Sequence, residues 1–344
     1  MKSPEFYSGE KLLPGKQKKS DNATDLSPFR EGVIGRKSSE GSFADIHEIN
    51  KPREDFPDRI IKIGKTEDYT PPLLKDKLRI KFSRKKISDI LVKLLGPKFQ
   101  IHPDQDFIEN GVAEYLLMKE YFGSDEKEAK NTSQNNREEL LFSLQDHSSS
   151  FYKEMTRVLG NDTLVAEVVQ TLKNHQKDNF FPKEQTIIGH PPNLTRERAE
   201  ELQTQGEKLP VTYYIYQEKI VGANVVPLCE LNEEELLKHP QLIEKLLTFA
   251  VLTKKMYSDT RKLIDTRPEE LAKHPFEWFQ KTANILLDKD KQELSFVDTR
   301  WLWDGNSRIG KGGVDLIKHL GVKSVDNVIK KYAAMLNSLK GSQS

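Results

Sequence analysis

Apolar and polar positions fall in short runs near the start of the chain and at helical spacing along most of the rest. Gly32 to Ile34 and Phe43 to Ile49 read as two strands joined by the polar turn Arg36 to Gly41. The second strand alternates imperfectly, with Phe43, Asp45, His47 and Ile49 on one face and Ala44, Ile46 and Glu48 on the other. Arg59 to Ile63 follows a turn at Pro57 and completes an antiparallel meander. Residues 1–31, rich in Lys, Ser, Pro and Asn and poor in apolar positions, have the composition of a flexible leader.

Residues 71–98 read as a basic helical insertion, and Phe107 to Tyr121 as an amphipathic helix turning Ile108, Val112, Tyr115, Leu116 and Met118 to a core. Ser124 to Arg137 is polar enough to read as a mobile linker. Glu138 to Asn174 then carries Leu140, Leu141, Leu144, Phe151, Met155, Val158 and Leu159 near helical spacing. Strands resume at Thr186 to Ile188 and Val211 to Gln217. Beyond them Asn232 caps a helix running to Lys238, Pro240 opens another, and Leu242 to Tyr257 carries the longest apolar stripe. Gly313 to Leu320 and Val325 to Leu339 read as closing helices, the second capped by Ser324.

Composition narrows the functional classes. The chain has 344 residues, enough for two lobes with separate cores. Lys+Arg 54 against Asp+Glu 53 leaves a formal net charge of +1, so no global field recruits nucleic acid or membrane. A local excess lies at Lys75, Lys77, Arg79, Lys81, Arg84, Lys85 and Lys86, interleaved with Leu78, Ile80 and Phe82. That run suits an anionic partner, a polyphosphate or an acidic lipid head group, and equally suits a solvated face. Cys229 is the only cysteine, which excludes an intrachain disulfide and fits a reducing, cytoplasmic location. No apolar stretch approaches the length of a membrane span.

The candidate chemistry is spread along the chain. Lys62 shares a strand face with Ile60, so its ammonium needs an anionic partner if that face is covered, and points to water if the strand is an edge. Glu114 on the following helix is the candidate partner, with Glu109 and Glu120 as rivals. The turn between Gly35 and Gly41 has the glycines to lay backbone N–H groups over an anion. Asp265 stands just after the long apolar helix, where it either takes a proton from a hydroxyl or merely precedes the capping box Thr266 to Glu269. Asn284 opens Ile285-Leu286-Leu287, a turn follows from Asp288 to Glu293, and the next apolar strand ends on Asp298. Either residue alone can be an ordinary turn former.

In that order these segments resemble the protein-kinase-like fold, including its aminoglycoside-phosphotransferase-type relatives. The matching features are the Gly35/Gly41 turn, Lys62 in Ile-Ile-Lys-Ile, the Glu114 helix, a hinge-like Tyr216 to Gly222 containing Glu218, Asp265-Thr266-Arg267-Pro268, Asn284-Ile285-Leu286-Leu287 and Val297-Asp298-Thr299. The resemblance implies ATP and magnesium as cofactors. Lys62 would hold phosphates and Glu114 would orient it. Gly35, Gly41 and Glu218 would lie against the nucleotide, Asn284 and Asp298 would bind the metal, and Asp265 would position the acceptor hydroxyl. Two departures stand out: Phe279 occupies the position five residues before Asn284 where the family places its catalytic Asp, and Thr299-Arg300 replaces the Phe-Gly of the metal-binding triad.

The expected architecture is therefore α+β and two-lobed. Residues 32–222 form a small antiparallel-sheet lobe with helical insertions at about 71–98 and 124–180, and residues 223–344 form a mainly helical lobe. The expected function is ATP- and magnesium-dependent phosphoryl transfer. The alternative is a pseudokinase that binds a nucleotide or a partner without catalysis.

Overall fold

The computed structural model describes residues 34–40, 44–49, 59–64, 118–123, 127–182, 184–189, 194–207, 212–264, 266, 277, 279–297 and 310–341. The chain is α+β and divides into two units, Met1–Val112 with Glu184–Lys219, and Ala113–Lys183 with Ile220–Ser344. The helices over 127–174 thus belong to the second unit.

The first unit contains a five-stranded antiparallel sheet in the order β1-β2-β3-β5-β4. Its strands are β1 Ile34–Glu40, β2 Ala44–Ile49, β3 Arg59–Gly64, β4 Glu184–Gly189 and β5 Thr212–Glu218. Period-two alternation in β3 buries Ile61 and Ile63 against Tyr214, with Ile34 and Ile49 packed around them. β5 is buried on both faces, through Tyr214 on one and Ile215 and Gln217 on the other. Helix α4, Arg196–Thr204, is an addition that the sequence pattern does not announce. It is capped by Thr195, whose side chain accepts from the Arg198 amide, and it folds Ala199 and Leu202 against Leu194.

The expected turn over Arg36 to Gly41 is corrected. Residues 36–40 continue β1, which pairs with β2 through two register shifts that absorb the polar run as bulges.

The second unit is built on helices α1 Lys127–Gln145, α2 Ser150–Leu159, α3 Asp162–Asn174, α5 Glu233–Leu237, α6 Pro240–Thr260 and α7 Gly310–Gly341. A three-stranded antiparallel sheet β6-β7-β8 accompanies them, with β6 Val225–Pro227, β7 Ile285–Asp288 and β8 Glu293–Phe296. The polar linker expected at Ser124 to Arg137 is in fact mostly the first half of α1, whose inward stripe is Ser133, Arg137, Leu140, Leu141 and Leu144. The single long helical segment expected from Glu138 to Asn174 breaks into three. Ser149 and Asn161 cap α2 and α3, and Gly160 ends α2 at φ 84, a left-handed conformation natural to glycine.

Apolar burial centres on α6. Leu242, Ile243, Leu246, Leu247, Phe249, Ala250 and Val251 are all fully buried there. Each large side chain contributes about 2 kcal/mol of transfer free energy. The two expected closing helices are one. α7 runs through Gly321 because Val325, Val328, Ile329, Tyr332 and Leu336 bury a continuous stripe, and that packing outweighs glycine's poor helix propensity. Ser324 is accordingly no cap but a buried residue inside α7, its Oγ accepting from the Phe279 amide at 3.3 Å.

Candidate functional site

β7 and β8 form a hairpin whose turn is held by Asp288. Its Oδ1 accepts from the amides of Asp290 and Lys291, both at 3.0 Å, and Gln292 completes the reversal at φ 55. Ile285, Leu287, Leu294 and Phe296 turn into the core and fix the register, which pairs Ile285 with Phe296. At the open end the pairing runs one residue further. The Val297 amide donates to the Asn284 carbonyl at 2.9 Å, and the Asn284 amide donates to Thr282 Oγ1 at 3.2 Å. Asn284 and the residue immediately before Asp298 are therefore held side by side. Asp298 itself lies outside the described residues.

In the first unit Lys62 stands in β3, paired with Ile46 of β2 and Ile215 of β5. β3 is an interior strand, which removes the edge-strand reading of this lysine. Its face carries Ile60, Ile46 and Ile215 together with the polar Glu48 and Gln217, the two partners of Ile60. Glu218 ends β5 opposite Arg59, on the face opposite to that of Lys62. Any contribution of Glu218 to a ligand on the Lys62 face runs through its backbone. Gly35 lies within β1 rather than in a turn, and the ring Nδ1 of His47 bonds its carbonyl at 3.2 Å. Gly41, Glu109, Glu114, Asp265 and the basic run 75–86 lie outside the described residues. Glu120 is in the second unit, half-buried, its carboxyl pKa raised by burial and its backbone carbonyl accepting from Asn136 Nδ2 at 2.9 Å.

Phe279 is fully buried and packs its ring 5.7 Å from that of Phe249. The position five residues before Asn284 is thus a core position, and no acid would be tolerated there without a buried partner.

The second unit also holds charged side chains that sequence patterning does not single out. His175 donates from Nδ1 to Asp178 at 2.8 Å and from Nε2 to Glu244 at 2.9 Å. Burial works against its charged form, but the two hydrogen bonds and the two carboxylate charges prevail and push its pKa up to about 9. With both ring nitrogens donating, this imidazolium is a structural clamp and has no lone pair for base chemistry. Lys254, 2% exposed, pairs with Glu154 at 2.7 Å and Asp326 at 2.5 Å, joining α2, α6 and α7. Arg137, 3% exposed, reaches three backbone carbonyls. The sequence clue to these groups is a charged residue recurring in step with a helix's apolar stripe, and the polar surroundings of Arg137 conceal it.

Among the described residues no cluster of three or more His, Cys, Asp and Glu is arranged to hold a metal. Magnesium needs no such cluster, since it keeps several waters and takes one or two protein oxygens plus those of phosphates. Of the two metal ligands expected from the sequence, only Asn284 lies among the described residues. Among the described residues no helix is long and apolar enough to cross a membrane. No family model, curated protein or solved structure matches the chain.

Proposed function

We propose that the chain is an ATP- and magnesium-dependent phosphotransferase of protein-kinase-like fold. The observation that carries the reading is the backbone hydrogen bond from Val297 to Asn284 at 2.9 Å, which holds Asn284 beside the residue that precedes Asp298 in sequence. Lys62 in the middle of an antiparallel sheet supports it from the first unit. In this reading Lys62 neutralises the α- and β-phosphates, Glu114 orients Lys62, and the backbone at Gly35 and Gly41 faces the phosphates. Chain at Glu218 lies against the base, and Asn284 and Asp298 hold a magnesium ion that offsets charge on the phosphates. Asp265 accepts the proton of the acceptor hydroxyl as its oxygen bonds to the γ-phosphorus and ADP leaves. The single cysteine suits work in a reducing compartment such as the cytoplasm.

Phe279 favours a second reading. A buried phenylalanine where the resemblance wants an acid leaves the proton-accepting role to Asp265 alone, and a chain without that role would bind nucleotide without turning it over. ATP turnover by the full chain with magnesium separates the two. The enzyme reading expects slow turnover that Asp265→Asn abolishes with ATP affinity unchanged. Intact ATP binding with no turnover in the wild type would leave the pseudokinase.

A further inference from the structure

The end of the helix at residues 118–122 and the segment 175–180 meet at one buried side chain. The Arg137 guanidinium donates from Nε to the Tyr121 carbonyl at 3.3 Å and from Nη1 to the carbonyls of His175 and Gln176 at 3.1 and 2.8 Å. It also lies over the Phe180 ring, 5.5 Å from its centre. Phe180 in turn donates its amide to the Phe122 carbonyl at 3.1 Å and accepts from the Phe296 amide at 2.7 Å. Phe122, Phe180 and Phe296 all pack on the Phe249 ring. Close approach at this junction is required throughout. Gly123, at φ 98, would place a side-chain carbon 2.9 Å from the Asp178 carbonyl and 3.3 Å from Arg137 Nη2.

A cation buried to this degree costs folding free energy unless its donors are matched. Arg137 Nη2 has no hydrogen-bond partner. An apolar residue could fill the same space without that cost. What the guanidinium does, and an apolar chain does not, is hold three carbonyls of two separate segments in a fixed fork. The second segment, through Phe180, is bonded to β8 one residue before the Val297–Asn284 pair.

We infer that Arg137 is a positioning residue for Asn284 of the proposed nucleotide site: it locks the end of the 118–122 helix to the 175–180 segment and, through the Phe180 backbone, to β8, where the next residue, Val297, bonds the Asn284 carbonyl. This rests on the phosphotransferase reading, because the site it positions is the one proposed above. The lock is built into the fold and needs no modification of the chain to close.

Amide hydrogen exchange and ATP affinity on the full chain test it, with Arg137→Lys compared against Lys254→Met, a buried charge removed elsewhere in the same unit. Arg137→Lys keeps the charge but loses the fork. It should speed exchange at Phe296 and Val297 at least tenfold relative to the α6 amides, and weaken ATP binding at least fivefold with magnesium while leaving metal-free binding unchanged. Lys254→Met should shift exchange across the unit without that local excess. Should Arg137→Lys fail to fold, Arg137→Met, which fills the same space without the buried charge and without the fork, carries the same measurement. Exchange at 296–297 no faster than in α6, with ATP bound normally, would overturn the lock alone. A wild type that binds no ATP would instead remove the site and with it the positioning role.

Discussion

The Val297 amide donates to the Asn284 carbonyl at 2.9 Å, one residue beyond the last ladder pair of the β7–β8 hairpin. That bond uses only backbone atoms. Asn284→Ala should therefore keep the hairpin and its register while removing the amide oxygen proposed as a metal ligand. The expected outcome is an apo melting temperature close to wild type and a loss of about tenfold, roughly 1.4 kcal/mol, in magnesium-dependent ATP affinity. Calorimetric titration with and without magnesium checks it, and equal affinities in the two proteins would take Asn284 out of the site.

His175 gives the fold a pH dependence with a definite sign. Its pKa is about 9 in the folded chain against about 6.5 when exposed, so its contribution is complete below the exposed value and is lost as pH rises through the folded one. Asp178 and Glu244, both held below their ordinary values in spite of burial, act in the opposite direction only in acid. Thermal melts should show stability declining between about pH 6.5 and 9 in the wild type. His175→Gln should flatten that decline.

Lys254 sits between Glu154 and Asp326 at the meeting of three helices. Its replacement by Met leaves two carboxylates facing each other without their cation. Asp326 already has its pKa raised by burial. A loss of about 3 kcal/mol in urea unfolding is expected, and a change within error of zero would mean that water screens the pair completely.

Phe279→Asp places an acid where the family pattern has its base, but at a position with no exposure. It should cost at least about 4 kcal/mol, from the lost ring and the uncompensated charge. It should restore no turnover. A stable, more active variant would show that the segment around Phe279 reaches a cleft.

Much of the architecture is legible in the sequence where burial and local propensity agree. The Ile60 to Ile63 strand, the β7–β8 hairpin, the Asn232 cap and the α6 stripe are of this kind, since each pattern has one reading and its packing reinforces it. The misreadings share a cause. Residues 127–137 look like a linker because the buried face of α1 there is Ser133 and Arg137, and only the carbonyls of Tyr121, His175 and Gln176 explain a buried arginine. Gly321 and Ser324 look like a helix boundary because packing along α7 is a tertiary fact. The polar run Arg36 to Glu40 looks like a turn because an exposed bulged strand need not alternate. Of the candidate site, Lys62 in an interior strand and the nearness of Asn284 to the residue before Asp298 are the parts the fold makes concrete. Glu114, Asp265 and Asp298 lie outside the described residues.

The central proposal is that the chain binds ATP with magnesium, Lys62 acting on the phosphates and Asp298 on the metal. Titration of ATP and magnesium into the wild type, Lys62→Met and Asp298→Ala, all shown to be folded beforehand, tests it most directly. The account predicts saturable binding by the wild type and a loss of at least tenfold in each variant. In Asp298→Ala the loss should appear only when magnesium is present. No binding by the wild type at millimolar ATP, or binding that both variants retain in full, would contradict it.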